Sequence, residues 1–537
     1  MPNPSQTLTP AGESFPELIA TDEALAPIPP PAIDAPARIR ADDHVELKRG
    51  AFLNTLAMLA SNFRGIFTFL VARLLGAPAL GIFSIAWATT DTLSKIGVFG
   101  LDSAIITFIA RAEALNEHSR SRRLFHIAVV LGLLQSVFTA GVIIALLRTF
   151  KDRLGLEPRL ASALALVLCA MPGVALYRIS TSVSRGMKVM QHDIYSRGFT
   201  EPIATTLALL AVVGIGSRTF APEIAAIVGT AASGLVALGL ASKLFRGVPE
   251  NRFTQGAIRR DEQWASHWSE VRPLLAYSAP ISGYQLLNTL VSRLDVIILG
   301  YFVGRAPGVG LATVGIYAAV VETANGLRKV NQAFNPIFAP VVAGITATGD
   351  HVRAMHTYSR LAQWMLWILL PMVAVLALAG SIILLVFGPS FQQGAFWLGI
   401  VALASATNSF FMLGETVIMV QRPRLNLLHS CITATVAVVS LFLLVPRFGA
   451  TGAALGILLP YVVQGLLRYS ALRFVFLWKE SWADVRPPLV AFILALIPAL
   501  CAHWFVHGVA GQLVSVGIFL TLFGIAWARH HFSSSPS

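Results

Sequence analysis

The sequence predicts an all-α, polytopic membrane protein of about 14 transmembrane helices, built as two parallel-repeat six-helix bundles followed by two C-terminal helices. Three observations carry this. Of the 537 residues, 55% are hydrophobic and only 12% are charged, with a mean hydropathy of +0.69; a soluble chain carries about 25% charged residues. The apolar residues come in runs of about 20, long enough to cross a bilayer as helix, the form that satisfies every backbone N–H and C=O within lipid. Finally, one block recurs: GIFSIAWATTDTLSK at 81–95 aligns without gaps to GIYAAVVETANGLRK at 315–329.

Residues 1–48 read as a disordered, proline-rich cytoplasmic tail. The tail is acidic over most of its length, lacks a sustained apolar period, and lacks the basic start and apolar core of a signal peptide. The N-terminal six-helix bundle is placed at 49–245, with spans near 51–75, 82–110, 124–147, 160–183, 199–217 and 222–242. A polar, basic cytoplasmic linker at 246–271 separates it from the C-terminal bundle at 272–475. Spans there lie near 273–302, 312–345, 361–387, 396–420, 426–445 and 451–472; Pro336 and Pro340 are expected to bend or break the eighth span. Two extra helices near 488–505 and 509–528 fill 476–530, and 531–537 is a short cytoplasmic tail.

Net charge is +13. In a soluble domain that would suggest nucleic acid, but here the cations gather on alternate loops, the pattern that orients a membrane protein. RIRADDHVELKRG, RAEALNEHSRSRRL, QRPR and Arg468 to Arg486 are basic, whereas GAPALG, GPSFQQG and VHGVAGQ hold no Lys or Arg. Both termini are therefore expected in the cytoplasm. RTFKDRLGLEPR at 148–159 departs from the pattern. Cys169, Cys431 and Cys501 all fall in apolar spans, so no disulfide framework is indicated.

The repeat matches Gly81 to Gly315, Phe83 to Tyr317, Asp91 to Asn325 and Lys95 to Lys329, and each copy follows a span carrying an arginine, Arg64 or Arg293. Parallel halves imply a site between two bundles. A charge at the bilayer centre costs about 2.5–3.5 kcal/mol on insertion scales, so charged spans usually face a path or a partner. Asp91 and Lys95 share one helical face, as do Glu322, Asn325 and Lys329. Together with Arg64, Arg293, Asp295 and Arg328, these residues are expected to line an aqueous cavity. The plainer reading is a set of static buried ion pairs that fix helix packing. Arg178 belongs to the same set but lies near a span end, Arg73 and Asp102 are read as snorkelling or capping groups, and Glu415 as interfacial.

LLGAPALGIFSIAWATTDTLSKIGVFGLDSAIITFIAR, SRGMKVMQHDIYSRGFTEPI and SRLDVIILGYFVG resemble the polysaccharide-biosynthesis flippases, the Wzx-type branch of the multidrug/oligosaccharidyl-lipid/polysaccharide exporter superfamily. The resemblance covers nearly all of residues 50–530 and excludes the tail. It implies a multi-pass protein of the bacterial inner membrane that moves a polyprenyl-diphosphate-linked oligosaccharide between leaflets by alternating access, for O-antigen, capsule or exopolysaccharide synthesis. It implies no cofactor and no metal. Expected partners are the lipid-linked oligosaccharide, membrane lipids, and polysaccharide polymerase or other assembly proteins; nucleic acid is not among them. On this resemblance Arg64, Lys95, Arg293, Arg328 and Lys329 hold the diphosphate, while Asp91, Asp295, Glu322 and Asn325 pair those cations or bind a coupling ion. A lipid II flippase and a multidrug/cation antiporter are the rivals within the superfamily. An enzyme is not expected, because the external loops are short and lack paired acids, metal-ligand clusters and glycine-rich phosphate loops.

Overall fold

The computed structural model describes residues 63–533, apart from 151–152, 154, 247–259, 348–350, 476–481 and 507. The tail at 1–48 and much of the linker therefore lie outside the described residues, as does the side chain of Arg64. No strand occurs among the described residues.

In the first half, α1 (Phe63–Val98) joins the first two predicted spans across Gly76, whose backbone is left-handed (φ 81°), with Pro78 just beyond. A second break separates α1 from α2 (Leu101–Ala114), with φ 52° at Phe99 and 70° at Gly100. The expected single span over 82–110 is thus two pieces. Close approach explains the choice of glycine: a Cβ on Gly100 would lie 2.7 Å from the Ser278 carbonyl oxygen and 2.9 Å from the Ser282 nitrogen. Next come α3 (His118–Phe150), α4 (Pro158–Leu168) and α5 (Met171–Gly186), the last two dividing the predicted fourth span. A π-helical turn at Ile194–Thr200 leads into α6 (Glu201–Gly214), and α7 (Ala221–Leu244) ends this half.

The second half opens with α8 (Arg260–Tyr301), which begins inside the stretch expected as linker. α9 (Leu311–Ala347) continues as one helix through Pro336 and Pro340, so the chain does not break there; membrane helices tolerate proline where neighbours re-satisfy the freed carbonyl. α10 (His351–Leu378) and α11 (Ala395–Gln421) follow. α12 (Pro423–Ser470) joins two predicted spans across left-handed Gly449, and α13 (Trp482–Phe505) and α14 (Gly508–Ser533) complete the chain. Among the described residues, nine stretches are long and apolar enough to cross a membrane. Neither α8 nor α9 is one of them, and these two helices hold Arg293, Asp295, Glu322, Arg328 and Lys329.

The largest core joins the halves rather than filling either one. Val71, Leu80 and Ile85 of α1 pack with Leu299 of α8 and with Tyr317 and Val320 of α9. At its centre the repeat meets itself: a Cβ on Gly81 would lie 2.1 Å from the Leu311 oxygen, and one on Gly315 would lie 1.9 Å from the Ala77 oxygen. The offset that carries Gly81 onto Gly315 also carries Ala77 onto Leu311. Reciprocal contact of this kind is the mark of a local two-fold relation. α13 and α14 pack on α10 through Trp367, Ala495, Phe519 and Phe523.

Candidate functional site: a shared carboxylate between two closures

The halves touch at both ends. At the Gly76 end, besides the paired glycines, the Arg73 Nε donates to the Val386 carbonyl at 2.8 Å and Phe69 meets Phe387 edge to face. Arg305 donates to the Gly155 carbonyl at 3.2 Å. At the opposite end, nearer the linker, Gly100 packs on the Ser278 and Ser282 backbone, Leu274 of α8 joins Leu101 and Ile105 in an apolar cluster and Phe108 meets Tyr277 edge to face, with polar contacts beside them. Arg120 at the start of α3 pairs with Glu270 of α8 at 2.8 Å and with Glu117 at 3.0 Å. Gln285 of α8 donates to the Ser103 hydroxyl at 2.8 Å and to Asp102 at 3.3 Å.

Asp91 lies about two turns before the end of α1, roughly 15 Å by helical rise from Gly81. Its carboxylate takes Arg178 of α5 at 3.0 Å and Arg293 of α8 at 3.2 Å. One acid therefore bridges three helices and both halves. Lys95 stands one turn further along the same helix, half-buried. Arg178 is thus a full member of the cluster, although its sequence position near a span end had suggested less. Burial of this kind is costly unless charges are paired and hydrogen-bonded, and truncating one partner leaves the other stranded.

The second-half residues form a neighbouring group. Asp295 is buried, accepts the Tyr317 hydroxyl at 3.0 Å and also accepts the Val296 backbone N–H. Arg328 donates to the Tyr461 hydroxyl at 2.9 Å. Asn325 donates to Glu322 at 3.3 Å, and Lys329 is half-buried on the same helix. The structure therefore joins Asp91 directly to Arg293, and holds Asp295 and Arg328 through tyrosines. Tyr317 and Tyr461 carried no sequence signal beyond the repeat match of Phe83 with Tyr317.

Glu415 requires a correction. It is not interfacial: it is 8% exposed, pairs with Arg468 and accepts the Tyr284 hydroxyl. Arg468, counted as a loop cation in the charge pattern, is 2% exposed because α12 continues to Ser470 and packs on α11. Beside this half, an apolar pocket of about 310 Å³ is lined by Gly326 of α9, Pro371, Met372 and Val375 of α10, and Leu520 of α14. No group of three or more His, Cys, Asp or Glu suited to a metal ion occurs among the described residues.

Helices of this length and apolarity, in two halves that meet about a local two-fold around a charged cluster, define a multi-pass helical membrane protein, and its family and fold make it a transporter of the flippase type. The sequence profile of polysaccharide biosynthesis proteins matches residues 47–342, and the chain belongs to that family. Solved structures agree on the fold. A lipid II flippase, MurJ, in an inward closed conformation superposes with a TM-score of 0.65 at 10% identity, covering 90% of this chain and 99% of that one. An inward-facing multidrug resistance transporter of the MATE family gives 0.60 at 14% identity, covering 80% and 96%. The eukaryotic MATE transporter AtDTX14 gives 0.53 at 14%, covering 84% and 99%. No curated protein sequence matches the chain.

Proposed function

We propose that the protein carries a polyprenyl-diphosphate-linked oligosaccharide across the bacterial inner membrane for cell-surface polysaccharide synthesis, with both termini in the cytoplasm. The observation that carries this is the Asp91 carboxylate shared by Arg178 and Arg293 across the two halves. In the empty protein the acid holds these cations paired. An incoming diphosphate offers more acceptor oxygens than one carboxylate, so it competes for the same guanidinium donors. Because Arg178 and Arg293 lie on opposite halves, that competition changes what links the halves. Alternating access then follows if opening at the linker end, the cytoplasmic one, alternates with opening at the Gly76 end, the periplasmic one.

Family membership supports the polysaccharide assignment, and the apolar pocket against Leu520 suits the lipid chain, with α14 contributing to its wall. A lipid II flippase would use the same diphosphate chemistry, and the likeness to MurJ favours it in fold alone. An antiporter of cationic drugs fits less well, since cations outnumber acids around Asp91. Polymerase and other assembly proteins would receive the product. The reading calls for no catalytic residue.

The test is complementation by Lys95→Ala and Lys329→Ala, singly and together, in a strain lacking this gene. Lipid-linked oligosaccharide on the periplasmic face is the readout, with membrane levels of the protein as control. Loss of translocation at normal levels supports the cationic site. Full activity of the double variant would show that the repeat records packing and ancestry only.

A further inference from the structure

Arg197 is a cation that neither the repeat nor the shared carboxylate accounts for. It sits on the π-helical turn Ile194–Thr200, and its neighbours Ser196 and Gly198 are buried. The Ser233 hydroxyl of α7 donates to the Ser196 carbonyl at 3.0 Å, and the Thr200 hydroxyl donates to the Tyr195 carbonyl at 2.8 Å. The turn is therefore pinned on both sides of an exposed arginine. π-turns are rare and recur at functional sites, because the extra residue re-aims a side chain. Here the guanidinium is aimed at Tyr177, its carbon 5.3 Å from the ring centroid.

Tyr177 immediately precedes Arg178, so the face that Arg197 covers adjoins the Asp91 cluster. Arg178 and Arg197 both lie within electrostatic reach of Lys95. Two kinds of cation result. Arg178 and Arg293 already share a carboxylate. Arg197 makes no ion pair with any described acid; its contact is the π face of Tyr177, which engages none of its five N–H donors end-on. A fixed cation beside a paired cluster, with its donors left over, suits a ligand with two linked anionic groups.

We propose that Arg197 binds the second phosphate of a diphosphate lipid, while Lys95, Arg178 and Arg293 take the first, so that this residue sets the preference for diphosphate over monophosphate. The assignment rests on the flippase reading above and sharpens its substrate class. A monophosphate would fill the Asp91 side alone and leave Arg197 on its tyrosine.

The experiment uses the full-length protein in nanodiscs of zwitterionic lipid, with polyprenyl monophosphate and polyprenyl diphosphate of one chain length as probes. Wild type should bind the diphosphate more tightly by roughly tenfold or more, the range of a charged hydrogen bond. Arg197→Gln should abolish that preference and leave monophosphate binding unchanged; Arg197→Lys, which keeps charge but loses the planar fork, should restore part of it. Unchanged thermal unfolding shows that the fold survives. Equal weakening toward both lipids, or toward neither, would overturn the role of Arg197 and leave the flippase reading standing. Failure of the wild type to bind either lipid would sink both.

Discussion

Gly81→Ala and Gly315→Ala place one methyl group at the point where the repeat meets itself. The added Cβ would stand 2.1 Å from the Leu311 oxygen in the first case and 1.9 Å from the Ala77 oxygen in the second, against 3.4 Å for ordinary contact. Both obstacles are backbone atoms, so no side-chain rotation relieves them. The helices must part by on the order of 1 Å, which already forfeits a quarter to a half of each nearby van der Waals well. Overpacking of this kind costs about 1–3 kcal/mol, or a factor of roughly 5–150 in an equilibrium between closed and open. Alanine favours helix over glycine by about 1 kcal/mol, so each helix itself should persist. The expected result is opening at the Gly76 end with the fold kept. A cysteine pair at Phe69 and Phe387, whose rings lie 6.3 Å apart, reports it in a background lacking Cys169, Cys431 and Cys501. Crosslinking should fall in either alanine variant, while protein level and thermal unfolding stay near the parent. Unchanged crosslinking would refute the claim that these glycines set the approach of the halves. The two substitutions share one contact, so their effects should be less than additive.

Three further outcomes are expected. Arg120→Glu and Glu270→Arg should each loosen the linker end by a few-fold, as labelling of nearby cysteines would show, because the pair is part-exposed and worth about 0.5–1 kcal/mol; the double exchange should restore closure, and failure to do so would mean the pair is incidental. Glu415→Gln leaves the Arg468 charge buried without its partner and should cost about 3–5 kcal/mol in a thermal or denaturant melt; replacing both residues with apolar ones should recover much of it. Asp91→Asn removes the acid that Arg178 and Arg293 share, so the variant should melt earlier, and inorganic pyrophosphate should raise its melting temperature more than that of wild type.

The helical membrane fold was legible because bilayer thickness and backbone satisfaction leave few solutions for long apolar runs. The parallel repeat was legible from fifteen aligned positions at 81–95 and 315–329, and Gly81 and Gly315 now explain part of it: only glycine allows that approach. Breaks were harder to see. Phe99 gave no signal for its left-handed backbone, since the cause is the packing of Gly100 on α8, far away in sequence. Conversely, Pro336 and Pro340 signalled a bend or a break, and α9 runs through both without a break. The site divided in the same way. Asp91 and Lys95 stood out as charges within a span, yet the helix spacing that paired them with each other could not show that Arg178 and Arg293 bind the acid. Arg468 and Glu415 were misplaced because both lie near span ends, where loop counting treats a charge as solvated.

The two closures differ in their polar partners, and on the proposed reading this bears on how a charged cargo would pass. At the Gly76 end the halves meet through glycine backbones and apolar side chains, with Arg73 and Arg305 capping carbonyls at the rim. At the linker end Gly100, Leu274 and Tyr277 make contacts of the same kind, and Arg120, Glu270, Gln285 and Asp102 add ion-pair and hydrogen-bond links. On the proposed reading, a charged headgroup that enters at the linker end would exchange hydrogen bonds with these polar partners. The glycine contacts at either end offer no such exchange: they open only when the helices separate as bodies. Between the two, Asp91 ties α1 to α5 and α8, so an anion that takes Arg178 and Arg293 from it alters a link between the halves and bears on α1, the helix that carries Gly81. On the proposed reading, binding in the middle would thereby be coupled to the Gly81–Gly315 contact. That coupling needs a helix whose charged turn and glycine contact move together, and α1 runs without a break from Ala77 to Val98.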